Sequence, residues 1–321
     1  MNVARRGLAL AALAVALASP AAADNYALVV TGASGGEAYA RKYDGWRRSF
    51  VAVLRDTFAY PADHVAVLAE KEEPGVGLST REQVRRTLTD LSARLTREDL
   101  LVVLLIGHGT LAEGPDEDAK FNLVGPDLTA SEWHDLLKPL AARLVFVDTT
   151  SASFPFMRKI AGPGRIVITA TDSAAQQFET VFAEWFVRAL TEMSADTDKN
   201  GRVSVLEAFI YASAGVRRWH EEHNQLPTER PLLGDLGDGE GREAPDPAPD
   251  GALARGTFLQ ITGEPVGAPQ RALAARRTAL EAEIDALKAR RATMSPDTYQ
   301  SELERLLVEL ARVSSELRSK T

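Results

Sequence analysis

Hydrophobic positions follow two rhythms along this chain. Short apolar runs at Tyr26 to Thr31, His64 to Leu68, Leu100 to Ile106, Leu144 to Val147 and Arg165 to Ala170 predict buried strands. Between them, apolar residues recur at helical spacing. Tyr43 to Phe58 carries Trp46, Phe50, Val53 and Leu54 on one stripe. Ser79-Thr80 opens a helix reaching about Leu95, with Gln83 placed to complete a capping box. Thr129 and Glu132 repeat that box ahead of Trp133, Leu136 and Leu137. Phe178 to Met193 and Val205 to Trp219 read as two amphipathic helices. Strands alternating with helices of this length predict an α/β fold. Its sheet should be mostly parallel, with right-handed crossovers and helices on both faces.

Beyond residue 240 the rhythm breaks. Residues 241–269 are rich in Pro, Gly, Ala and Asp and read as a linker, with room for one edge strand at Thr257 to Ile261. Two stripes follow: Leu273, Leu280, Ile284 and Leu287, then Tyr299, Leu303, Leu306, Leu310, Val313 and Leu317. Ser295 as N-cap with Pro296 behind it restarts the helix between them. The two stripes predict an antiparallel helical hairpin, a short coiled coil, over 270–318. It either satisfies itself, packs on the main domain, or serves as an arm for docking or self-association.

The first 23 residues read as a targeting segment. Arg5-Arg6 precede an apolar stretch from Gly7 to Ala18, and Ala21-Ala22-Ala23 supplies small residues for cleavage after Ala23. A retained membrane anchor is the alternative, but the apolar run is short for a span. The mature chain, 24–240 as one domain plus the two C-terminal segments, is expected in the periplasm or secreted, with no membrane span. Losing Arg5 and Arg6 moves the formal charge from −8 to −10. An acidic chain without a basic run is a poor partner for nucleic acid or anionic lipid. The chain has no cysteine, so an exported form has no disulfides and relies on its core.

The strand ends carry the candidate chemistry. The Leu100 strand runs into Gly107-His108-Gly109, and the Leu144 strand into Asp148-Thr149-Thr150-Ser151-Ala152-Ser153. A parallel sheet presents residues just past two such strands side by side at its carboxyl edge. These segments resemble caspase/legumain-type cysteine peptidases, whose second segment reads roughly Asp-Ser/Thr-Cys-x-Ser-Gly. Gly35-Gly36-Glu37 with Tyr39 and Trp46 is similar to bacterial relatives of the legumain group. The resemblance spans roughly residues 25 to 240. It implies a caspase-like sheet, His108 as general base, the Gly109 amide as an oxyanion donor, and a nucleophile at position 150. Position 150 holds threonine, and Ala152-Ser153 replace the usual Ser-Gly.

With no cysteine, thiol chemistry is excluded. A hydroxyl ionises far above the thiol's pKa of about 8.5, so a lone imidazole activates it poorly. The expectation is a proteolytically inactive peptidase homologue that binds a protein or peptide partner. The alternatives are a hydrolase using Thr150 or Ser151 with His108, and a structural component of the cell envelope. Arg41 lies near the region where legumain-like enzymes keep a specificity arginine, but it does not align cleanly.

Asp196-Thr197-Asp198-Lys199-Asn200-Gly201-Arg202-Val203-Ser204-Val205-Leu206-Glu207 follows the twelve-residue EF-hand loop. Asp196, Asp198, Asn200 and Ser204 place oxygens at positions 1, 3, 5 and 9. The Arg202 carbonyl falls at 7 and Glu207 at 12, with glycine at the turn. The pattern predicts a structural Ca²⁺ site clamping a helix junction; a solvated Asp/Asn turn is the bland alternative. Asp235 to Glu240 forms a second acidic turn, and His220 with His223 a weak metal spacing.

Overall fold

A computed structural model describes residues 23–112, 118–192, 194–246, 248–260 and 268–319. Apart from Ala23, the expected leader lies outside the described residues. β1 (Asn25–Thr31) sits between β4 (Leu100–Ile106) and β2 (Val65–Ala69). Beyond β4 come β8 (Arg143–Asp148), β9 (Arg165–Thr169) and β10 (Leu232–Gly234); beyond β2 comes β3 (Gly77–Leu78). The seven strands pair in the order β10-β9-β8-β4-β1-β2-β3, all parallel except β10.

The strand sequences explain the layers. Val102 and Leu104 of β4 point into one core with Val29 and Val147, while Val103 and Leu105 join the other with Leu28 and Phe146. Both faces are covered, so β4 is apolar at every position and shows no alternation. One face carries α1 (Glu37–Ala52), α5 (Phe182–Thr191) and α6 (Val205–Glu222). The other carries α2 (Arg81–Arg94), α3 (Ala130–Leu137) and α4 (Phe154–Ile160). A small antiparallel sheet of β5 (Gly109–Leu111), β6 (Ala119–Phe121) and β7 (Leu128–Thr129) follows β4.

The expected α/β sandwich is present, and several boundaries need correction. The helix expected from Tyr43 begins at Glu37, because its first turns are polar and only the later stripe is buried. It runs on through a π-turn at Val53–Thr57. The helix expected from Phe178 begins at Phe182; Phe178 is 68% exposed in the preceding loop. Thr80 caps α2 by accepting from the Gln83 amide at 3.2 Å, but Gln83 does not return the bond. At Thr129 both halves of the box form.

The expected linker is not a free tether over its described part. Arg242 pairs with Leu233 by two backbone bonds, and α7 (Ala252–Arg255) buries Ala254. Leu259 is buried, and its carbonyl accepts from the Tyr60 hydroxyl at 2.8 Å and the Asn25 side-chain Nδ2 at 3.1 Å. In place of the expected edge strand there is one antiparallel bridge, Ser204 to Phe258; Ile261 lies outside the described residues. The hairpin forms as expected from α8 (Ala268–Ala289) and α9 (Pro296–Ser319). Leu280, Ile284, Leu287, Leu306 and Val313 make its own small core, while the Leu317 side chain lies outside the described part. No helix among the described residues is long and apolar enough to cross a membrane.

Candidate functional site

Leu105 of β4 pairs with Asp148 of β8, so the loops leaving these strands meet at the carboxyl edge. Gly109 packs directly against the second loop. A Cβ there would lie 2.0 Å from the Ser151 carbonyl oxygen and 2.5 Å from the Thr150 hydroxyl oxygen, so only glycine fits. The Ser151 hydroxyl donates to the Gly109 carbonyl at 3.0 Å. Gly109, Thr150 and Ser151 therefore form one packed group.

His108 points elsewhere. Its Nε2 lies 2.9 Å from the Ser34 carbonyl oxygen, and the Tyr43 hydroxyl sits 3.3–3.4 Å from the two ring nitrogens. A carbonyl only accepts, so Nε2 is the donor toward Ser34. The Tyr39 ring meets it edge-on at 4.8 Å. Burial pushes the Tyr43 hydroxyl pKa up, so that group stays protonated. Among the described residues, none of His108's hydrogen bonds reaches Thr150 or Ser151.

The Thr150 hydroxyl is fully buried and donates to the Ser151 carbonyl at 3.0 Å. The Thr150 amide donates to Asp148 Oδ1 at 2.9 Å, while Oδ2 has no partner. Burial pushes the Asp148 carboxyl up to about 7, against the pull of the Thr150 bonds.

A strap covers this loop. The Gln176 carbonyl accepts from the Ala152 amide at 2.8 Å, and the Thr180 hydroxyl donates to the Thr149 carbonyl. The strap is pinned by Asp172–Arg230 at 3.1 Å, by Lys42–Glu179, and by Glu229. Glu229 accepts from the Val181 and Phe182 amides, each at 2.8 Å, and so caps α5. Burial raises its carboxyl to about 8. Asp148, Tyr43 and Glu229 were not candidate site residues. A charge ending an apolar strand was the one available signal for Asp148, and nothing local marks the other two. A cavity of about 230 Å³ opens between Ser34, Arg41, Glu70 and Lys71, sharing Ser34 with the His108 site.

The acidic loop joins α5 to α6. The two helices approach closely at Gly215, where a Cβ would lie 2.2 Å from the Trp185 ring. Carboxylate oxygens of Asp196, Asp198 and Glu207 fall within 4.8 Å of one another. Lys199 and Gly201 take positive φ of 56° and 82°, which curls the loop. Asp196 accepts from the Asn200 and Gly201 amides at 3.0 and 2.9 Å; Ser204 and Glu207 form the capping box of α6. Burial, then the Glu207 charge, raise the Asp198 carboxyl. The donors are all oxygen, which suits a hard cation such as calcium, and the crowded carboxylates are what such an ion would neutralise.

The other metal patterns do not assemble among the described residues. The Asp235 carboxylate is spent on the Gly251 and Ala254 amides, each at 2.9 Å. His220 is buried, whereas exposed His223 bonds the Trp219 carbonyl through Nδ1 at 2.8 Å. Arg41 is exposed and pairs with Glu37.

No family profile matches the chain, and no curated protein matches it. Among solved structures, protein GSU0716 from Geobacter sulfurreducens is similar over 70% of this chain and 96% of that chain, at 16% identity and a TM-score of 0.43. A likeness of that depth assigns no function.

Proposed function

We propose that this chain is an exported, proteolytically silent relative of the caspase/legumain-type peptidases, acting as a calcium-stabilised module that binds a protein or peptide partner. The surroundings of Thr150 carry this reading. A nucleophile must meet a carbonyl carbon and hand its proton to a base, whereas the Thr150 hydroxyl is enclosed and its proton is committed to a neighbouring carbonyl. The imidazole is engaged with Ser34 and Tyr43. Asp196, Asp198, Asn200, Ser204 and Glu207, with the Arg202 carbonyl, would hold Ca²⁺. An ion there would neutralise the loop's carboxylates and tie the start of α6 to the end of α5.

Incubation of the mature protein with peptidyl esters and peptides is expected to give no turnover. Turnover lost in both Thr150→Ala and His108→Ala would instead establish the hydrolase alternative. Calorimetric titration with calcium is expected to show one weak site, with a dissociation constant on the order of 10⁻⁴–10⁻³ M. Glu207→Gln should abolish it.

A further inference from the structure

The second helix of the hairpin carries two seams, and α8 fills one of them. Tyr299, Leu303, Leu306, Leu310 and Val313 recur at alternating spacings of four and three and pack into the hairpin core. On the opposite side Ser301, Glu304, Val308, Ala311 and Ser315 recur at spacings of three and four, and all five are exposed. Val308 is 64% exposed at the middle of this outer line, with Leu307 beside it at 47%. Ser301, Ala311 and Ser315 are small, which leaves room for another helix to approach closely. The charges of α9 divide in the same way. Arg305 pairs with Glu302 at 3.0 Å and Glu309 at 3.8 Å, and Glu309 also takes Arg276 of α8 at 2.7 Å. Among the described residues Glu304 and Arg312, both exposed, form no ion pair. They stand four residues to either side of Val308, about 6 Å along the axis each way.

We infer that this outer face of α9 docks on the same face of a second copy of the chain, antiparallel, about a two-fold axis passing at Val308. Reversal about Val308 sets each Glu304 beside the other copy's Arg312, whereas parallel helices set like charge against like. The interface is thus complementary to itself, as a two-fold contact requires. Val308 and Leu307 leave water at its centre, and two Glu304–Arg312 pairs close its ends. The two hairpins together make a four-helix bundle with both α9 helices inside. One helix pair buries an area at the small end of specific interfaces, so the dimer is a weak one.

Sedimentation equilibrium of the mature full-length chain, from about 10 μM to about 500 μM, is expected to show a reversible monomer–dimer equilibrium that weakens as salt is raised. Val308→Asp, at an exposed position outside the hairpin core, should weaken association about tenfold or more with far-UV circular dichroism unchanged. Glu304→Arg, which sets arginine against arginine, should weaken it by about tenfold. Adding Arg312→Glu should return the affinity to within about threefold of the unsubstituted chain, a rescue that damage to the helix would not give. The mass of a single chain at every concentration overturns the proposal. So does a dimer that Val308→Asp and Glu304→Arg leave unchanged, since its interface lies elsewhere. A double variant no tighter than Glu304→Arg alone overturns the antiparallel pairing about Val308.

Discussion

Asp148 and Glu229 are acids held where water does not reach, and their protonation couples to stability. Their carboxyls sit at about 7 and about 8 in the folded chain, against about 4 when unfolded. Between those values the folded state binds the extra protons. Stability is therefore greatest below about pH 4 as far as these two groups go, and falls as pH rises through 7 and 8. Each group contributes a slope of at most about 1.4 kcal/mol per pH unit. Melting temperatures should drop from pH 5 to about pH 8, and Asp148→Asn should flatten that drop, its amide oxygen still accepting from the Thr150 amide; an unchanged profile would contradict the burial. At Gly109 the contacts leave no room for a methyl group. Gly109→Ala should cost about 3 kcal/mol or more, read from urea unfolding midpoints. His108, Gly109, Thr150 and Ser151 were legible because apolar strands deliver whatever follows them to one edge. The direction of the imidazole was not, since Ser34 and Tyr43 set it from elsewhere in the chain.

Elements whose ends are written locally were read well. β4 and the Thr129 cap fall where the pattern put them, because an unbroken apolar run and a reciprocal box need no distant partner. Thr129→Ala should lower stability by about 1 kcal/mol, measurable by thermal unfolding. α5 was misread at its start because its cap is Glu229, far along the chain and invisible to any local pattern. The segment after residue 240 was misread for a related reason. Proline and glycine marked it as irregular, which it is, but irregular backbone can still dock when carbonyls such as that of Leu259 find partners.

At the scale of the molecule the described residues form three cores, two flanking the sheet and one inside the hairpin. The hairpin core is the smallest, so Leu306→Ala, removing a buried side chain worth about 2–5 kcal/mol, should melt α8 and α9 ahead of the domain. Far-UV circular dichroism resolving a separate helical transition would check it, and a single unshifted transition would argue against a separable unit. The sheet's margins bear on how this molecule behaves when crowded. At one border β3 offers only Gly77 and Leu78, and at the other β10 runs against the grain with Arg242 already hydrogen-bonded to its middle residue. Neither border leaves a run long enough for a foreign chain to zip onto. Fibril growth through the sheet is thereby discouraged by design, even at high concentration and without a single disulfide to lock the fold.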